Sequence, residues 1–437
     1  MSAEMENTLS NASSTRESGT ISSAVVDILK NVAIAGMDTP LILVEKKEGE
    51  GKEERGERGR ERNVRRSRLL ASGGYNDVWL VEMGFADGEG GGEEESKNIV
   101  VRQPNSDALM PNQLENEVAW LTYVAEHTSI RVPKVYSWSS ADPPYVTMEY
   151  VEGRPMCDVW KDCDEDEKEL LVKEIARMVV ELGEIGFDKI GGLSPEHQLA
   201  PTVEGMKLFK GRDKIHSDEH YEIGPYSTVK KYALACYDKE IYYYSKAPFE
   251  DIVWRLFEKD EELTDDDQYN CLPDDGPRRE TLLENKAAFV EELKEARKEC
   301  LQDEETFSQE PFVLCHNDLN GRNIMVRDKH IVGIIDWEFA GSYPLSELLS
   351  GGSIDVIEYL SEEDQEENFK WHVKIRDAIQ EATESRGWSN ADKDLLFNDG
   401  TGLLPGLRTE MIPNYLYDED EGDDVSDHSS DVLGNSD

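Results

Sequence analysis

Apolar and polar residues alternate with two different periods along this chain. Between about residues 69 and 151, the runs DVWLVEM, IVVRQP and YVTMEYV are rich in β-branched residues and have the length of strands. Residues 111–127 instead have apolar positions spaced by four, three and four residues, the period of an amphipathic helix, at Leu114, Val118, Leu121 and Ala125. We therefore predict two strands joined by a glycine-rich turn, a helix, and another strand that ends at Gly153.

Beyond Gly153 the helical period dominates. Residues 164–186 place apolar side chains on one stripe, begin with acidic residues and end at a glycine, as amphipathic helices do. A second long helical pattern covers residues 278–301. The predicted fold class is α+β, with a small β-rich N-lobe over residues 67–152 and a larger, mainly helical C-lobe over residues 153–416.

Two flanking stretches have too few apolar residues to form a core. Residues 45–68 mix many charges with glycine, and residues 417–437 are strongly acidic. Such compositions predict disorder, because little surface can be buried to offset the entropy lost on ordering. We assign residues 1–66 to a disordered or weakly ordered N-terminal arm and residues 417–437 to a disordered acidic tail.

Charge and composition exclude several classes of partner. The 437-residue chain has a formal net charge of -47, which repels phosphate polymers, so nucleic acid is not expected as a partner. No apolar run reaches the length of a membrane span, and the N-terminal stretch lacks the apolar centre of a secretion signal. Its glutamates argue against a transit peptide, and the six scattered cysteines suit a reducing compartment. We predict a cytoplasmic protein without a membrane partner.

The segment LCHNDLNGRNIMV sets several polar residues inside an apolar frame. Its spacing is H-x-D-x-x-x-x-N, given by His316, Asp318 and Asn323, and a later β-branched run ends in Asp336. Phosphoryl transfer needs a carboxylate to receive the acceptor's proton and oxygen ligands to hold magnesium. Asp318 suits the first task, and Asn323 with Asp336 suits the second. The alternatives are structural: Asn323 as the cap of a turn, Asp336 in an ion pair, and His316 as a residue that orients its neighbours.

Two features of the N-lobe belong to the same hypothesis. Glu117 lies on the apolar stripe of the predicted helix, so its carboxylate faces inward and needs a cation, for which Arg102 is nearest. Gly73 and Gly74 lie between the first two strands, where a backbone without side chains can approach phosphates. By itself the glycine pair is equally consistent with a plain hairpin turn. Glu338, in the IIDWE run, either supports the site or belongs to a solvated face.

These motifs resemble those of the aminoglycoside phosphotransferase and choline kinase family, in which the loop reads roughly H-G-D-x-x-x-x-N. The runs GGYNDVWLV, VVRQP and TSIRVPKVYSW are similar to its fungal phosphotransferase-like branch. The resemblance covers roughly residues 69–349, and residues 203–307 match less clearly. It implies a two-lobed protein-kinase-like fold with ATP and Mg2+ as cofactors. It also implies transfer of the γ-phosphoryl group to a hydroxyl of a small-molecule acceptor.

The resemblance implies a role for each matching residue. Asp318 would act as the catalytic base and His316 would steady the catalytic loop, while Asn323 and Asp336 would bind Mg2+. The other matching positions would bind the nucleotide, namely Gly73 and Gly74 over its phosphates, Arg102 with Glu117 beside them, and the backbone of Glu149 and Val151 on adenine. The sequence departs from the pattern at two positions, since Arg102 replaces the usual lysine and Asn317 the usual glycine.

Two alternative functions stay open at this point. A protein kinase would need an activation segment after the metal-binding aspartate. DWEFAGSYPLSELLSGG passes within a few residues into what is predicted to be the next helical element, which favours a small acceptor. A catalytically weak or inactive nucleotide-binding scaffold of the same fold is favoured only by Arg102. A Rossmann or P-loop protein is disfavoured because neither glycine motif occurs. These patterns leave the acceptor's identity and the oligomeric state open.

Overall fold

The computed structural model describes residues 61–86, 95–106, 108–203, 216–252, 254–257, 276–302, 310–349, 354–397 and 411. The predicted acidic tail and residues 1–60 of the predicted arm lie outside these ranges. Contacts divide the chain into two compact units. The first unit comprises Met1–Val203, Gly224–Ser227 and Glu310–Gly402, and the second comprises Glu204–Ile223, Thr228–Gln309 and Leu403–Asp437.

A five-stranded antiparallel sheet begins the first unit. Its strands are β1 (Glu61–Ser72), β2 (Asn76–Ala86), β3 (Glu95–Pro104), β4 (Val135–Ser139) and β5 (Tyr145–Glu149). Hydrogen bonds order them β1-β2-β3-β5-β4, and helix α1 (Asn112–His127) connects β3 to β4. The strands and the helix predicted for the N-lobe are therefore present. The glycine-rich residues 87–94 between β2 and β3 lie outside the described ranges.

Strand β1 begins earlier than the sequence predicts. Residues 61–66, assigned above to the disordered arm, pair with β2 through their backbone, with Glu61 opposite Ala86. β1 is an edge strand, so Arg66 and Arg68 stay exposed while the backbone ladder holds them. The charge content of these residues predicted disorder. The strand forms nevertheless, because its backbone hydrogen-bonds to β2.

Helices dominate the chain after the sheet. The described residues form α2 (Met156–Val159), α3 (Glu165–Gly183), α4 (Val229–Lys246), α5 (Pro277–Gln302), α6 (Glu362–Arg386) and α7 (Asn390–Leu396). α3 and α5 are the two long helices that the sequence predicts, and the α+β fold class is confirmed. α3 begins with a capping box between Asp164 and Glu167, which satisfies two backbone N–H groups at its start. None of these described helices is both long and apolar enough to cross a membrane.

Short strands position the loops that carry the candidate chemistry. They are β6 (Arg154–Pro155), β7 (Gly186–Phe187), β8 (Gly192–Leu193), β9 (Leu199–Ala200), β10 (Phe312–Cys315), β11 (Ile324–Arg327), β12 (His330–Ile334) and β13 (Gly341–Pro344). The order of one small sheet is β13-β10-β7, and that of another is β12-β11-β6. Because β11 pairs with β12, the loop that enters β11 and the residues that leave β12 meet at the same end of the hairpin.

The second unit corresponds closely to the stretch of sequence that resembles the family least clearly. Within it, Arg297 of α5 donates to both carboxylate oxygens of Asp238 on α4, at 2.6 and 2.8 Å. The rings of Tyr244 on α4 and Phe289 on α5 meet edge to face with centroids 5.1 Å apart. These contacts hold α4 and α5 together around an aromatic core of their own.

Candidate active site

The loop that joins β10 to β11 contains the H-x-D-x-x-x-x-N motif, and His316 holds its start in place. Nε2 of His316 donates to the carbonyl of Ile335 at 3.0 Å, and Nδ1 accepts from the backbone N–H of Asp318 at 3.2 Å. This pattern uses the neutral ring with its proton on Nε2. Burial lowers the pKa of His316 to about 4, so the ring stays neutral at physiological pH. Both ring nitrogens are therefore occupied by the backbone.

Asn317 explains why the loop departs from the usual glycine without losing its shape. Its φ is +65°, in the left-handed region that favours glycine. Asparagine is among the few other residues that accept this region. Its side-chain amide also donates to the carbonyl of Phe339 at 2.9 Å. The position requires a positive φ, and asparagine supplies it together with a hydrogen bond.

Two asparagines hold the carboxylate of Asp318, which is half-buried. Asn323 donates through Nδ2 to Oδ2 of Asp318 at 2.9 Å, and Asn320 donates through Nδ2 to Oδ1 at 2.7 Å. The Asn323 amide also donates to the Asp318 carbonyl at 2.8 Å. Since the nitrogen of Asn323 faces Asp318, its Oδ1 is the atom left to meet a cation.

Asp336 follows β12 and lies beside Asn323. The register pairs Ile334 with Ile324, and the N–H of Ile335 donates to the carbonyl of Asn323 at 3.0 Å. The φ of Asp336 is +67°, and backbone strain of this kind concentrates at functional sites. Its side chain is 32% exposed, so a carboxylate oxygen can reach a ligand.

Arg102 on β3 faces three carboxylates. Its Nη1 donates to Glu117 of α1, and its Nη2 donates to Asp336 at 3.0 Å and to Glu338 at 3.3 Å. The pairing of Arg102 with Glu117 that burial predicts is confirmed. Burial disfavours the charged guanidinium, but the three carboxylates outweigh burial and raise the pKa of Arg102. Burial also raises the pKa values of Glu117 and Glu338, against the opposing effect of Arg102. Three carboxyl groups sharing one guanidinium favour a further cation at this point.

Helix α1 turns three polar side chains, at positions i, i+3 and i+4, toward Arg102 and the segment after β12. Gln113 donates to Oε2 of Glu338 at 2.8 Å, and Asn116 donates to the Glu338 carbonyl at 3.0 Å. The third is Glu117, the only one of the three that sequence reasoning identified. Buried amides also need partners, so the same helical spacing could have found the other two. Glu338 is 5% exposed, so its interpretation as part of a solvated face is wrong.

The glycine-rich loop joins β1 to β2, as predicted. The N–H of Gly73 donates to the carbonyl of Asn76 at 2.9 Å, and Nδ2 of Asn105 donates to the carbonyl of Gly74 at 2.8 Å. A Cβ added at Gly74 would meet no atom within 4 Å, and one at Gly73 would lie 3.7 Å from the Asn76 carbonyl. Both Gly73 and Gly74 are described by the structure, and neither has a positive φ. The fold therefore has space for a side chain at Gly74, and packing among the described residues does not require glycine there.

The sheet face that carries Arg102 also offers an apolar surface. The register pairs Val78 with Arg102 and Leu80 with Val100, and residues paired across strands lie on one face. All three apolar residues are half-buried. The Arg102 side chain extends from this face and donates to Asp336. The apolar strip therefore adjoins a candidate metal-binding residue. Such a strip suits a nucleobase ring. Sequence alternation predicted these strands but could not show which face is left open.

The hinge follows β5 and contains the two predicted adenine contacts. The backbone N–H of Glu149 donates to the carbonyl of Lys134 at 2.8 Å, so this N–H is already occupied. Val151 is buried, and its backbone makes no hydrogen bond to the residues that the structure describes. Buried backbone groups are nearly always paired, so the hinge at Val151 suits a ligand edge.

The donor set of the candidate metal site fits Mg2+. Asn323 and Asp336 present an amide oxygen and a carboxylate oxygen, which are the hard ligands that Mg2+ takes. Within the described ranges, no group of three or more His, Cys, Asp or Glu is arranged to hold a metal ion. Mg2+ commonly completes its coordination with phosphate oxygens and water. The two protein ligands are therefore compatible with a metal that arrives with a nucleotide.

The chain after Asp336 corrects one expectation. The sequence predicted a helical element within a few residues, but β13 comes first and is followed by a 3-10 helix at Leu345–Glu347. β13 pairs with β10, with Phe312 opposite Pro344, which fixes the segment directly beside the catalytic loop. No extended segment separates Asp336 from β13 in this described part of the chain.

Three features define the class of this protein. They are the sheet with its arginine–glutamate pair, the H-x-D-x-x-x-x-N loop and the aspartate after the next hairpin, and together they define a kinase-like phosphotransferase. The chain belongs to the phosphotransferase enzyme family, abbreviated APH, whose family model matches residues 67–348. The family resemblance carried by the motifs is thereby confirmed.

Curated relatives match part of the chain at low identity. The Altered inheritance of mitochondria protein 9, mitochondrial, of Meyerozyma guilliermondii is 24% identical over 139 residues, which are 30% of this chain and 23% of the relative. The protein of the same name from Debaryomyces hansenii is 25% identical over 169 residues, which are 35% of this chain and 27% of the relative. The chain thus spans about a quarter of the length of the curated relatives it matches.

Solved structures of aminoglycoside and macrolide phosphotransferases are also similar to this chain. ADP-bound aminoglycoside phosphotransferase APH(2'')-Ib is 16% identical with a TM-score of 0.37, over 78% of this chain and 88% of that one. Macrolide 2'-phosphotransferase MphH from Brachybacterium faecium is 12% identical with a TM-score of 0.38, over 76% of this chain and 81% of that one.

Proposed function

We propose that this protein is an ATP- and Mg2+-dependent phosphotransferase that moves the γ-phosphoryl group to a hydroxyl of a small-molecule acceptor. The proposal rests on the meeting of Asp318, Asn323 and Asp336. The side-chain amide of Asn323 donates to the Asp318 carboxylate at 2.9 Å. The backbone carbonyl of Asn323 accepts at 3.0 Å from the N–H of Ile335, the residue before Asp336. A candidate base and two candidate metal ligands thus lie at the same end of the β11–β12 hairpin. Family membership supports the reaction class.

The nucleotide would lie along the face of the sheet that carries Arg102. Its base would pack on the half-buried strip of Val78, Leu80 and Val100 and meet the backbone of Val151. Its phosphates would extend toward Arg102 and under the glycine-rich loop, where Gly74 leaves space. Apolar packing with a few convergent polar groups is the usual composition of a cofactor site.

Asp318 would receive the acceptor's proton. As the hydroxyl oxygen forms its bond to the γ-phosphorus, the bond from that phosphorus to the β–γ bridging oxygen breaks and ADP leaves. The hydroxyl proton passes to the Asp318 carboxylate, which Asn320 and Asn323 hold in a fixed direction. Bound Mg2+ would supply neutralisation of the phosphate charge, and Oδ1 of Asn323 and the Asp336 carboxylate would hold it.

The short path between Asp336 and β13 supports one class of acceptor. A protein substrate would need a positioning segment here, and the described chain passes directly into a strand. This supports a small acceptor over a peptide.

A nucleotide-binding scaffold is the second candidate, and one observation favours it. Both terminal nitrogens of Arg102 donate to Glu117, Asp336 or Glu338, so its guanidinium is turned to carboxylates in place of a phosphate. Arginine can still grip a phosphate through its planar fork. A scaffold would bind nucleotide in the same place and transfer nothing.

The decisive experiment measures Mg2+- and ATP-dependent phosphorylation of a panel of acceptors. The panel contains an amino sugar, a quaternary amino alcohol and a neutral sugar, with Asp318→Ala as the comparison variant. Transfer by the wild type that is lost in the variant is the expected result. Equal activity of both proteins would refute the role of Asp318. Nucleotide binding without transfer to any acceptor would favour the scaffold.

Gly74→Ala separates nucleotide binding from folding. The structure leaves space for the added methyl group, so the free energy of unfolding should stay within about 1 kcal/mol of the wild type. We expect a weaker affinity for ADP with Mg2+, measured by titration calorimetry, because the methyl group would occupy space needed by the phosphates. Unchanged affinity would remove the glycine-rich loop from the proposed nucleotide site.

The cytoplasmic location predicted from the N-terminal sequence stays a proposal. The relatives from Meyerozyma guilliermondii and Debaryomyces hansenii are named as mitochondrial proteins, which makes mitochondria the alternative for this chain. A fluorescent fusion at the C-terminus, imaged with a mitochondrial marker, decides between the two compartments.

A further inference from the structure

Glu338 binds three N-lobe side chains through one carboxylate oxygen. Its Oε2 accepts from Nδ2 of Asn76 at 2.8 Å, from Nε2 of Gln113 at 2.8 Å and from Nη2 of Arg102 at 3.3 Å. These donors belong to the start of β2, to α1 and to β3. Glu338 is 5% exposed and Asn76 is 8% exposed, so water competes little for these bonds. One oxygen thus joins the three elements that border the proposed nucleotide site.

Asn76 is the donor that belongs to the glycine-rich loop. It is the first residue of β2, and its carbonyl accepts from the N–H of Gly73 at 2.9 Å, which closes the loop. The ring of Tyr75 meets the ring of Phe339 edge to face, with centroids 5.4 Å apart. Two successive loop residues therefore contact Glu338 and Phe339, two successive residues of the segment after β12.

We propose that Glu338 is a positioning residue that holds the glycine-rich loop, residues 72–76, against the metal-binding segment through Asn76. The loop and Asp336 would then approach the nucleotide phosphates as one unit. This inference rests on the proposed function, which supplies the nucleotide. Glu338 acts through Asn76 and is separate from the residues assigned above as base and metal ligands.

A purely structural role makes different predictions for Asn76. Removing the Asn76 amide leaves Glu338 with two donors, Gln113 and Arg102, so its carboxylate stays paired and the fold should lose little stability. A positioning role predicts that the loop loosens and that nucleotide binding weakens while global stability is nearly unchanged. The two roles are separated by local and global measurements on the same variant.

The first test compares Asn76→Ala with Asn390→Ala in the whole 437-residue chain. Asn390 is an exposed asparagine at the start of α7, away from the sheet, and serves as the matched control. Amide hydrogen exchange of a peptide covering residues 70–80 is measured without nucleotide, and the Kd for ADP with Mg2+ is measured by calorimetry. We expect faster loop exchange and a Kd raised about tenfold for Asn76→Ala, because a hydrogen bond to a charged group is lost. Asn390→Ala should match the wild type in both.

The second test places a like charge opposite Glu338. Asn76→Asp sets a carboxylate against Oε2 of Glu338, so loop exchange should rise further than in Asn76→Ala. Adding Glu338→Gln removes one of the two facing charges, while the amide oxygen can still accept from Gln113 and Arg102. The double variant should recover part of the loop protection and ADP affinity that Asn76→Asp loses.

Wild-type loop exchange and Kd in Asn76→Ala would overturn the inference. A double variant no better than Asn76→Asp would also overturn it, because the side-chain pair would then not be what holds the loop. A wild-type protein that binds no nucleotide would sink the proposed function instead. The exchange measurements would still decide whether Asn76 and Glu338 hold the loop, since they use the nucleotide-free protein.

Discussion

Nη2 of Arg102 donates to Oδ1 of Asp336 at 3.0 Å, which ties the centre of the N-lobe sheet directly to the candidate metal-binding residue. The same guanidinium binds Glu117 and Glu338. Lysine, which kinases have at this position, lacks the planar fork that allows such divided contacts. Arginine here therefore serves as a junction between β3, α1 and the segment after β12.

Replacing Arg102 by methionine should destabilise the fold strongly. Glu117 and Glu338 would stay buried without their cation, and breaking a buried pair in this way costs about 3–5 kcal/mol. Adding Glu117→Gln should recover part of the loss, because one buried charge is removed. Chemical denaturation measures both. Arg131→Met is the control, since Arg131 pairs with Glu149 at an exposed site and should cost less than about 1 kcal/mol. Equal losses for the two single variants would contradict the junction.

Asp318→Asn should abolish most transfer without affecting nucleotide affinity. The amide cannot accept the acceptor's proton, and loss of a general base typically lowers the rate by about 10²–10⁴-fold. Asp328→Asn is the control, because Asp328 is 92% exposed and its φ of +53° is one that asparagine accepts. Turnover with the acceptor found in the panel and the Kd for ADP are measured for both. A turnover within twofold of the wild type would exclude Asp318 as the base.

Gly321→Ala should displace the catalytic loop. An added Cβ would lie 2.5 Å from the carbonyl oxygen of Val356, a distance that forces the backbone to move. We expect a loss of about 1–3 kcal/mol in the free energy of unfolding, as for other overpacked sites, together with reduced turnover. Gly186→Ala is the control, since a Cβ there meets nothing within 4 Å. If Gly321→Ala is as stable and active as Gly186→Ala, the loop is not held in this way.

Acid should destabilise the wild type partly through His316. Its pKa falls from 6.5 to about 4 on folding, so between these pH values the unfolded chain binds more protons than the folded chain. The stability from His316 is fully present above pH 6.5 and is lost as the pH falls toward 4, with a maximum of about 3 kcal/mol. His316→Asn keeps a donor and an acceptor but cannot titrate, so its stability should fall less over this range. Parallel pH profiles of the two proteins by chemical denaturation would contradict the buried neutral ring.

Local sequence patterns predicted most of the elements and displayed the residues of the H-x-D-x-x-x-x-N motif. The two-residue and helical periods are local properties, so they predicted β2, β3, β5, α1, α3 and α5. The pairing of Glu117 with Arg102 was predictable too, because a carboxylate on an apolar helix stripe needs a cation. The spacing of the catalytic loop depends on a single turn of chain, which sequence letters display directly.

Which distant groups meet depends on the tertiary structure. Asn76 and Glu338 are 262 positions apart, and no local period marks either as the partner of the other. From the sequence, Glu338 was equally consistent with a solvated face and with a residue that supports the site. The fold buries it beside three donors. β1 was hidden for a related reason, since its backbone pairing with β2 outweighs its charged composition. Local patterns report on neighbours along the chain, whereas burial and pairing depend on segments that only folding brings together.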